Sequence, residues 1–353
     1  MKIGILTSSR TDNNGTDLQA VAMQNVFRRL GANDVEIIDY ISEKIDTKAP
    51  IKLSIRNLLF LPLILFNRYT HRKFRKQNLN KSKKVYDKHN IDSAPYDIIV
   101  VGSDQVWNLD LTGGDISYFL PFQKKGLRKY SYAVSLGTAK TEKWNEIYHI
   151  KDYLHDFDDI FVREKSGIDA LRKINVDAHL SLDPILMGTK EDWASFTTPI
   201  KKKKYILIYL VRYDPMAVEY AQKIAKKSGL EIIMLNPGIK RWRGVTPHAF
   251  VSVERWLNLM ANADMVITNS YHGFSFAILF RRNFRLCLLP AASKNNDRMI
   301  DLANNLRLTD YILKDINDSF EPINWERTEK LLMHIVQESE KSIKSIIGGT
   351  ICH

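Results

Sequence analysis

The sequence predicts an α/β protein with two Rossmann-like domains and a central cleft between them. Short apolar strands alternate with amphipathic helices along most of the chain, which is typical of doubly wound, mostly parallel sheets. The alternation breaks after Asp183-Pro184 and then begins again. A length of 353 residues exceeds what one hydrophobic core usually serves, so two domains are expected.

The strand and helix predictions follow from the period of the apolar residues. Strands are predicted at Ile3–Leu6, Val35–Ile38, Ile98–Val101, Lys129–Val134, Asp159–Val162, Tyr205–Leu210, Glu231–Met234, Asp264–Thr268 and Arg285–Leu289. Helices are predicted at Asp17–Leu30, Trp144–Phe157, Glu164–Lys173, Met216–Ser228, Val253–Ala261, Tyr271–Arg281 and Trp325–Ser345.

A basic segment, residues 47–86, interrupts this alternation. It contains eleven lysines and arginines and no acidic residue, and it therefore holds nearly all of the net charge of +12. Its apolar run Leu58–Phe66, which contains Pro62, is far shorter than the roughly 20 residues that cross a membrane. An apolar run followed by cations fits the surface of an anionic membrane. A core helix followed by a solvated basic helix is the alternative. Nucleic-acid binding is a third interpretation, but no recognised binding module accompanies the segment.

The cysteines and the first residues indicate the compartment. Only Cys287 and Cys352 occur, far apart and without the spacing of metal ligands. This argues against a disulfide framework and a zinc site, and it suits a reducing environment. The apolar residues Ile3–Leu6 are too few for the core of an export signal. We therefore expect a cytoplasmic protein without a metal site.

The most informative motif is Gly102-Ser-Asp-Gln-Val-Trp-Asn108, directly after the predicted strand Ile98–Val101. Ligands of open α/β sheets bind beyond the carboxyl ends of the strands, so the polar residues of this turn are candidates for a site. They are Ser103, Asp104, Gln105 and Asn108, arranged around Trp107. The alternative is structural, with Ser103 or Asp104 capping a helix and Trp107 in the core.

A second motif, Thr268-Asn-Ser-Tyr-His-Gly273, joins a predicted strand to a predicted helix. The free N–H groups and partial positive charge of a helix N-terminus attract anions. His272, in the first turn, would face the same anion and donate a proton or a hydrogen bond. Gly273 is predicted to let a ligand approach the backbone closely. A purely structural histidine is the alternative.

The order of these motifs resembles the polysaccharide pyruvyl transferase family. The other matching landmarks are Asn14-Gly-Thr-Asp-Leu-Gln-Ala20, Ser131-Tyr-Ala-Val-Ser-Leu-Gly137, Arg163-Glu-Lys-Ser-Gly167, Leu182-Asp-Pro184, Trp256-Leu257 and Asn296-Asp-Arg298. The resemblance covers about residues 1–310, and the basic segment lies outside its motifs. It implies transfer of a pyruvyl group from phosphoenolpyruvate to a sugar, with a cyclic ketal formed on two hydroxyls.

The resemblance also implies a division of roles. Residues 1–187 would form an acceptor-side domain with the segment 47–86 inserted, and residues 205–322 a donor-side domain. Residues 188–204 would be a linker, and residues 323–347 would form a helix that packs back on the domains.

His272 is expected to be the general acid at the donor, and Asp104 is expected to orient or deprotonate the acceptor hydroxyl. Donor contacts are predicted for Arg163, Asn269, Ser270, Tyr271, Gly273 and Arg298. Acceptor contacts are predicted for Asn14, Ser103, Gln105, Trp107 and Asn108.

Two of the predicted donor contacts also allow a structural interpretation. Arg163 could instead pair with Glu164 or Asp159, and Asp297 and Asp301 flank Arg298. The chain also departs from the family pattern, because some members have Arg-Leu-His in place of Ser270-Tyr-His272. The missing arginine would bind the donor phosphate. Ser270, the helix N–H groups, Lys294 or Arg298 would have to replace it.

Two other functions compete with pyruvyl transfer. A glycosyltransferase of the GT-B type, using a nucleotide sugar, also has two Rossmann-like domains, and fold alone does not decide chemistry. The second is a non-catalytic protein that binds a membrane or another anion through residues 47–86. The preferred prediction is a pyruvyl transferase with phosphoenolpyruvate as co-substrate and no other cofactor. Its acceptor would be a lipid-linked precursor of a surface polysaccharide, reached from the inner face of the membrane through the basic segment.

Overall fold

The computed structural model describes residues 1–45, 61–137, 140–198, 204–236, 241–249, 251–290 and 296–348. These residues form two compact units, each built around one sheet. Unit 1 takes the described residues of 1–50, 75–187 and 333–353, and unit 2 those of 51–74 and 188–332. In the described part of the chain, no helix is both long enough and apolar enough to cross a bilayer.

The sheet of unit 1 has seven parallel strands in the order β3-β2-β1-β4-β5-β6-β7. They are β1 Lys2–Leu6, β2 Asp34–Tyr40, β3 Lys81–Tyr86, β4 Ile98–Val101, β5 Arg128–Val134, β6 Asp159–Val162 and β7 His179–Leu180. All four residues of β4 are buried, as expected for an apolar strand covered on both faces.

The sheet of unit 2 has five parallel strands in the order β10-β9-β8-β11-β12. They are β8 Tyr205–Tyr209, β9 Glu231–Leu235, β10 Val245–His248, β11 Met265–Thr268 and β12 Asn283–Leu286. Both sheets follow the Rossmann order 3-2-1-4-5, extended by two strands in unit 1. The strand order therefore reverses between β1 and β4 in unit 1 and between β8 and β11 in unit 2.

Twelve helices of the described residues connect or flank these strands. They are α1 Asn14–Arg29, α2 Leu61–Asn78, α3 Leu109–Thr112, α4 Thr141–Tyr148, α5 Ile150–Leu154, α6 Lys165–Arg172, α7 Pro184–Met187, α8 Pro215–Ser228, α9 Val253–Asn262, α10 Tyr271–Leu279, α11 Asp297–Asn305 and α12 Trp325–Gly348. The side chain of Asn13 caps α1 by accepting hydrogen bonds from the backbone N–H groups of Gly15 and Thr16.

Three predicted elements need correction. The helix predicted over Trp144–Phe157 is two helices, α4 and α5, because His149 between them adopts a left-handed φ of 53°. The strand predicted at Arg285–Leu289 begins two residues earlier, in register with β11. Strand β3 lies within the segment that was predicted to be a basic insertion, and it pairs with β2.

The predicted linker 188–204 is also corrected for its described residues. Residues Glu191–Phe196 form a 3-10 helix. Trp193 within it is fully buried and packs edge-to-face against Phe276 at 5.2 Å between ring centroids. These aromatic residues make the segment part of the core of unit 2. Residues 199–203 of the lysine run lie outside the described residues.

The last helix, α12, belongs to unit 2 up to Leu332 and to unit 1 from Met333. In its second part, Ser339 accepts a hydrogen bond from the backbone N–H of Leu182 at 3.1 Å. Ile343 and Ile346 are fully buried. The helix therefore contributes core residues to unit 1.

Candidate functional site

The two predicted motifs lie at the points where the strand orders reverse. The loop after β4 begins at Gly102, and α1 follows the loop after β1. In unit 2, the motif around His272 follows β11, next to the end of β8. Ligands of doubly wound sheets bind at these switch points, beyond the carboxyl ends of the strands. Each unit therefore has one candidate site at its own switch point.

Asp104 is the central acidic residue of the unit 1 site. One carboxylate oxygen accepts a hydrogen bond from the backbone N–H of Gln105 at 2.8 Å, and the other accepts one from the Thr16 hydroxyl at 3.1 Å. Its φ of 81° is uncommon for a residue with a side chain. Between Val101 and Leu109, only Asp104 and Gln105 are partly exposed. The backbone is thus held in a costly conformation that presents these two side chains to solvent.

Ser103 has a structural role instead of the predicted contact with the acceptor. It is fully buried, and its hydroxyl donates to the side-chain oxygen of Gln19 at 2.6 Å. Gln19 donates in turn to the Thr7 hydroxyl, which donates to the backbone carbonyl of Ser103. This closed network joins the loops after β1 and β4, and it leaves Ser103 no accessible surface.

Trp107 is likewise a core residue, which corrects its prediction as a sugar contact. Its side chain is fully buried and stacks on Phe119 at 5.2 Å between ring centroids. The indole N–H donates to the backbone carbonyl of Tyr118 at 2.7 Å. Asn108, also predicted to bind the acceptor, caps α3 by accepting from the backbone N–H of Leu111. Both residues support the loop that carries Asp104.

Asn14 and Gln105 remain available as acceptor contacts. The side-chain oxygen of Asn14 is buried and has no hydrogen-bond partner among the described residues. Buried polar atoms normally have a partner, so this oxygen is suited to a ligand hydroxyl. The side-chain oxygen of Gln105 accepts from Asn108 at 3.3 Å. Gly137 provides the space, because a Cβ there would lie 2.4 Å from the Asn108 amide nitrogen and 2.9 Å from this oxygen.

Arg163 lies inside unit 1, and this corrects its prediction as a donor contact. Its guanidinium forms an ion pair with Asp183 at 3.3 Å, and both side chains are almost completely buried. Its Nε also donates to the backbone carbonyl of Ala133. Asp183, which the sequence did not suggest as a partner, is therefore an acidic partner of Arg163. Removing one member of such a pair typically costs about 3–5 kcal/mol, which indicates a structural role.

The unit 2 site is built on the N-terminus of α10. Ser270 caps this helix, and its hydroxyl oxygen accepts from the backbone N–H of Gly273. The backbone N–H groups of Tyr271 and His272 lie in the first turn and have no acceptor within the helix. Every residue of α10 is buried except His272, which is partly exposed. The helix therefore presents one polar side chain beside the N–H groups of its first turn.

A cation also lies at this helix start. The guanidinium carbon of Arg298, on α11, is 5.2 Å from the centroid of the Tyr271 ring, within the range of a cation–π contact. Tyr271 is buried and Arg298 is partly exposed. An arginine from α11 thus stands near the position where some family members carry one in the motif itself. Lys294 lies outside the described residues.

Two predicted donor contacts of this motif are structural instead. The Asn269 side chain accepts from the backbone N–H of Val211 at 2.8 Å and donates to the carbonyl of Arg212 at 2.7 Å. Both of its polar atoms therefore fasten the loop after β8. At Gly273, a Cβ would lie 2.5 Å from the Thr268 hydroxyl and 3.0 Å from the Tyr209 ring. Glycine is therefore required there for close packing against Thr268 and Tyr209.

Sequence reasoning missed several residues that shape these sites. Thr16 bonds to Asp104, and Gln19 holds Ser103. Both belong to the Asn14–Ala20 landmark, which was the available signal. In unit 2, Tyr209 hydrogen-bonds to Ser270, and burial raises the pKa of Tyr209 to about 12. Its phenol therefore stays neutral.

Among the described residues, no cluster of His, Cys, Asp or Glu is arranged to hold a metal ion.

Comparison with known proteins agrees with the order of the motifs. A family model described as polysaccharide pyruvyl transferase matches residues 13–289, which include both candidate sites. A comparison with curated proteins gave no match.

Solved structures with a similar fold are found among sugar-nucleotide enzymes. One is the UDP-GlcNAc 2-epimerase from Methanocaldococcus jannaschii, with a TM-score of 0.54 and 14% identity, over 95% of this chain and 93% of that one. Another is a putative UDP-N-acetylglucosamine 2-epimerase from Listeria monocytogenes, with a TM-score of 0.52 and 10% identity, over 99% and 91%. At this identity the likeness shows the fold alone. The predicted fold class, two Rossmann-like domains of the GT-B kind, is confirmed.

Proposed function

Because the chain belongs to the polysaccharide pyruvyl transferase family, we propose that it transfers pyruvate from phosphoenolpyruvate to a sugar. The product is a cyclic ketal on two hydroxyls of a surface-polysaccharide precursor, such as one for exopolysaccharide or capsule. Phosphoenolpyruvate is the co-substrate, and the proposal needs no further cofactor.

The start of α10 is the observation that carries this proposal. The donor has a phosphate and a carboxylate, which require cations and hydrogen-bond donors. The N–H groups of the first turn, His272 and Arg298 supply both within unit 2. Helix N-termini are ready-made anion sites, so the donor is assigned to this unit.

The proton transfers follow from the overall reaction. Carbon 3 of the donor gains a proton from His272 and becomes a methyl group, while an acceptor hydroxyl adds to carbon 2. The phosphate then leaves carbon 2 as the second hydroxyl bonds to it. The two hydroxyls of the acceptor release one proton each. One of these protons restores the proton that His272 supplied, and the other leaves with the phosphate. Asp104 is assigned to accept the proton from the attacking hydroxyl.

The decisive experiment uses phosphoenolpyruvate labelled with ¹³C in the pyruvyl group. The purified protein is incubated with it and with lipid-linked oligosaccharides, and the products are weighed by mass spectrometry. Each turnover should release one phosphate and add the label to the glycan. Consumption of a UDP-sugar without use of phosphoenolpyruvate would instead establish the competing glycosyltransferase.

The membrane part of the proposal rests on one face of α2. Along this helix, exposed residues recur at intervals of three and four and therefore share one face. The exposed residues in its first half are apolar, and those in its second half are basic. Leu65, Phe66 and Tyr69 are 51%, 47% and 63% exposed. Arg72 and Lys73, exposed on the same face, follow one turn later. The opposite face packs into the protein through Phe74, which contacts the ring of Phe196 at 5.6 Å between centroids.

The rest of the basic segment does not contribute uniformly to this surface. Arg75 is buried and pairs with Asp17 at 3.1 Å. Lys81 pairs with Asp39 at 2.6 Å and also donates to the carbonyl of Ser9. These cations stabilise unit 1, which corrects the prediction of one lipid-facing segment 47–86. Residues 46–60 lie outside the described residues. We assign the face of α2 to an anionic bilayer, which would bring the enzyme to a lipid-linked acceptor on the cytoplasmic side.

Vesicle sedimentation tests this surface. Cations near an anionic membrane contribute about 1 kcal/mol each, so R72Q/K73Q should weaken binding to vesicles with anionic lipid roughly thirtyfold. The triple variant L65S/F66S/Y69S should also bind weakly. The control K226Q/K227Q removes a lysine pair from the end of α8 and should bind as the wild type does. Equal binding of R72Q/K73Q and wild type, or equal binding to neutral vesicles, would refute the assignment.

A further inference from the structure

A cavity of about 540 Å³ opens in unit 1. Three loops line it: residues 40–44 after β2, residues 87–89 after β3, and residues 112–115 after α3. Its volume lies within the range of about 300–1,000 Å³ that is usual for small-molecule sites. None of the predicted site residues lines it, so the roles assigned so far do not account for it.

The cavity lies on the same edge of the sheet as Asp104. Strand β2 is the neighbour of β1 and β3 is the neighbour of β2 in the strand order, and the carboxyl ends of both lead directly into the lining loops. The third loop, 112–115, is separated from the Asp104 loop by the single turn of α3. A chain of sugar units bound at Asp104 can therefore continue along this edge.

The charges of the lining nearly cancel. The acidic residues are Glu43, Asp87 and Asp115, and the basic ones are Lys44, Lys88 and His89. Lys88 pairs with Glu43 at 2.9 Å, and Asp87 accepts from the backbone N–H of His89 at 2.9 Å. The three carboxylates would repel a phosphate, and the two lysines would repel a cation. A neutral ligand with many hydroxyls can donate to the former and accept from the latter.

The wall of the cavity is fixed before any ligand arrives. The Tyr40 hydroxyl donates to both oxygens of Asp115, at 3.0 and 2.9 Å. Burial, reinforced by the charge of Asp115, raises the pKa of Tyr40 far above its usual value, so the phenol remains a donor. Gly113 and Gly114 have left-handed φ values of 75° and 81°. A Cβ at Gly113 would lie 2.6 Å from the Lys44 side chain.

We propose that this cavity binds one sugar unit of a neutral glycan through its hydroxyls. Resting on the proposed function, this unit is a neighbour of the sugar that receives pyruvate, so the acceptor is an oligosaccharide and not a single sugar. Asp87 and His89 are the side chains assigned to contact it, because both line the cavity and neither is part of the hydrophobic core.

Saturation-transfer NMR on the full-length protein, without phosphoenolpyruvate, tests the proposal. The probes are neutral trisaccharides of glucose, of galactose and of mannose, with inorganic phosphate as the anionic comparison. At least one trisaccharide should bind, and D87A/H89A should weaken its binding at least tenfold. The matched control is D152A/H155A, the same residue pair exposed on and beside α5. It should bind as the wild type does. E43A/K88A, which alters only the exposed rim, provides a second variant should D87A/H89A fold poorly.

The outcomes separate this site from the proposed reaction. Failure of all three trisaccharides to bind overturns the proposal, as does binding unchanged in both cavity variants. Binding of inorganic phosphate that D87A/H89A abolishes also overturns it. Trisaccharide binding lost in D87A/H89A, from a protein that never consumes phosphoenolpyruvate, supports the cavity and refutes pyruvyl transfer. Pyruvyl transfer that continues while trisaccharide binding is unchanged in both cavity variants refutes the cavity alone.

Discussion

Replacing His272 with alanine is expected to lower kcat for pyruvyl transfer by about 10²–10⁴-fold. His272 is the one partly exposed residue of α10, and it lies in the first turn of the helix. The substitution removes the proton donor for carbon 3 of phosphoenolpyruvate and leaves the apolar core of the helix intact. H272Q, which keeps a hydrogen-bond donor but cannot act as an acid at neutral pH, should be similarly slow.

Release of inorganic phosphate measures this effect under saturating donor and acceptor. His334, exposed on α12, provides the control, and H334A should retain wild-type kcat. Circular dichroism and a thermal melt establish that both variants fold. A kcat for H272A within tenfold of wild type would exclude His272 as the general acid and leave it a structural residue of the helix start.

Replacing Asp104 with asparagine is expected to lower kcat by a comparable factor, about 10²–10⁴-fold. Asparagine preserves the size of the side chain and tolerates the left-handed backbone, so the loop should keep its shape. It can still accept a hydrogen bond from Thr16 or Gln105. Only the capacity to take a proton from the acceptor hydroxyl is lost.

The KM for the acceptor distinguishes the two roles of Asp104. A positioning role predicts a raised KM with little change in kcat. A role as a base predicts a lowered kcat with little change in KM. Asp110, which is exposed and pairs with Lys140, supplies the control. D110N should leave both constants unchanged because surface ion pairs contribute little. A D104N enzyme with unchanged kcat would refute the assignment of a base.

The regular elements with apolar strands could be predicted closely. Ile98–Val101 and Asp159–Val162 coincide with β4 and β6, because continuous apolar runs indicate strands that are buried on both faces. Strand β3, Lys81–Tyr86, carries three lysines at a sheet edge and has no such pattern. Its pairing with β2 and the contact of Lys81 with Asp39 make it a strand. These partners lie some forty residues away in sequence, so the local pattern around β3 does not reveal them.

The predicted site residues also form two groups, those that reach solvent and those whose polar atoms are used inside the protein. The motifs placed Asp104 and His272 at strand ends, where their side chains reach solvent. The same motifs contain Ser103, Trp107 and Asn269, whose polar atoms are used within the protein. A motif gives residue types and spacing but not the direction of each side chain. That direction depends on Gln19, Tyr118 and Val211, which belong to other segments.

The order of the apolar strands and of the helices between them, the family and the two strand-end motifs could all be read from the chain. Each depends on local patterns of residue type, and these patterns reflect local backbone preference and burial. Packing between distant segments settled the rest. It buried Arg163 against Asp183 and placed Arg298 over Tyr271. Among the described basic residues of 47–86, it paired Arg75 with Asp17 and Lys81 with Asp39, and it left Arg72 and Lys73 on an exposed helix face. Whether a charged side chain serves the core or a ligand depends on which partner packing brings within hydrogen-bond distance.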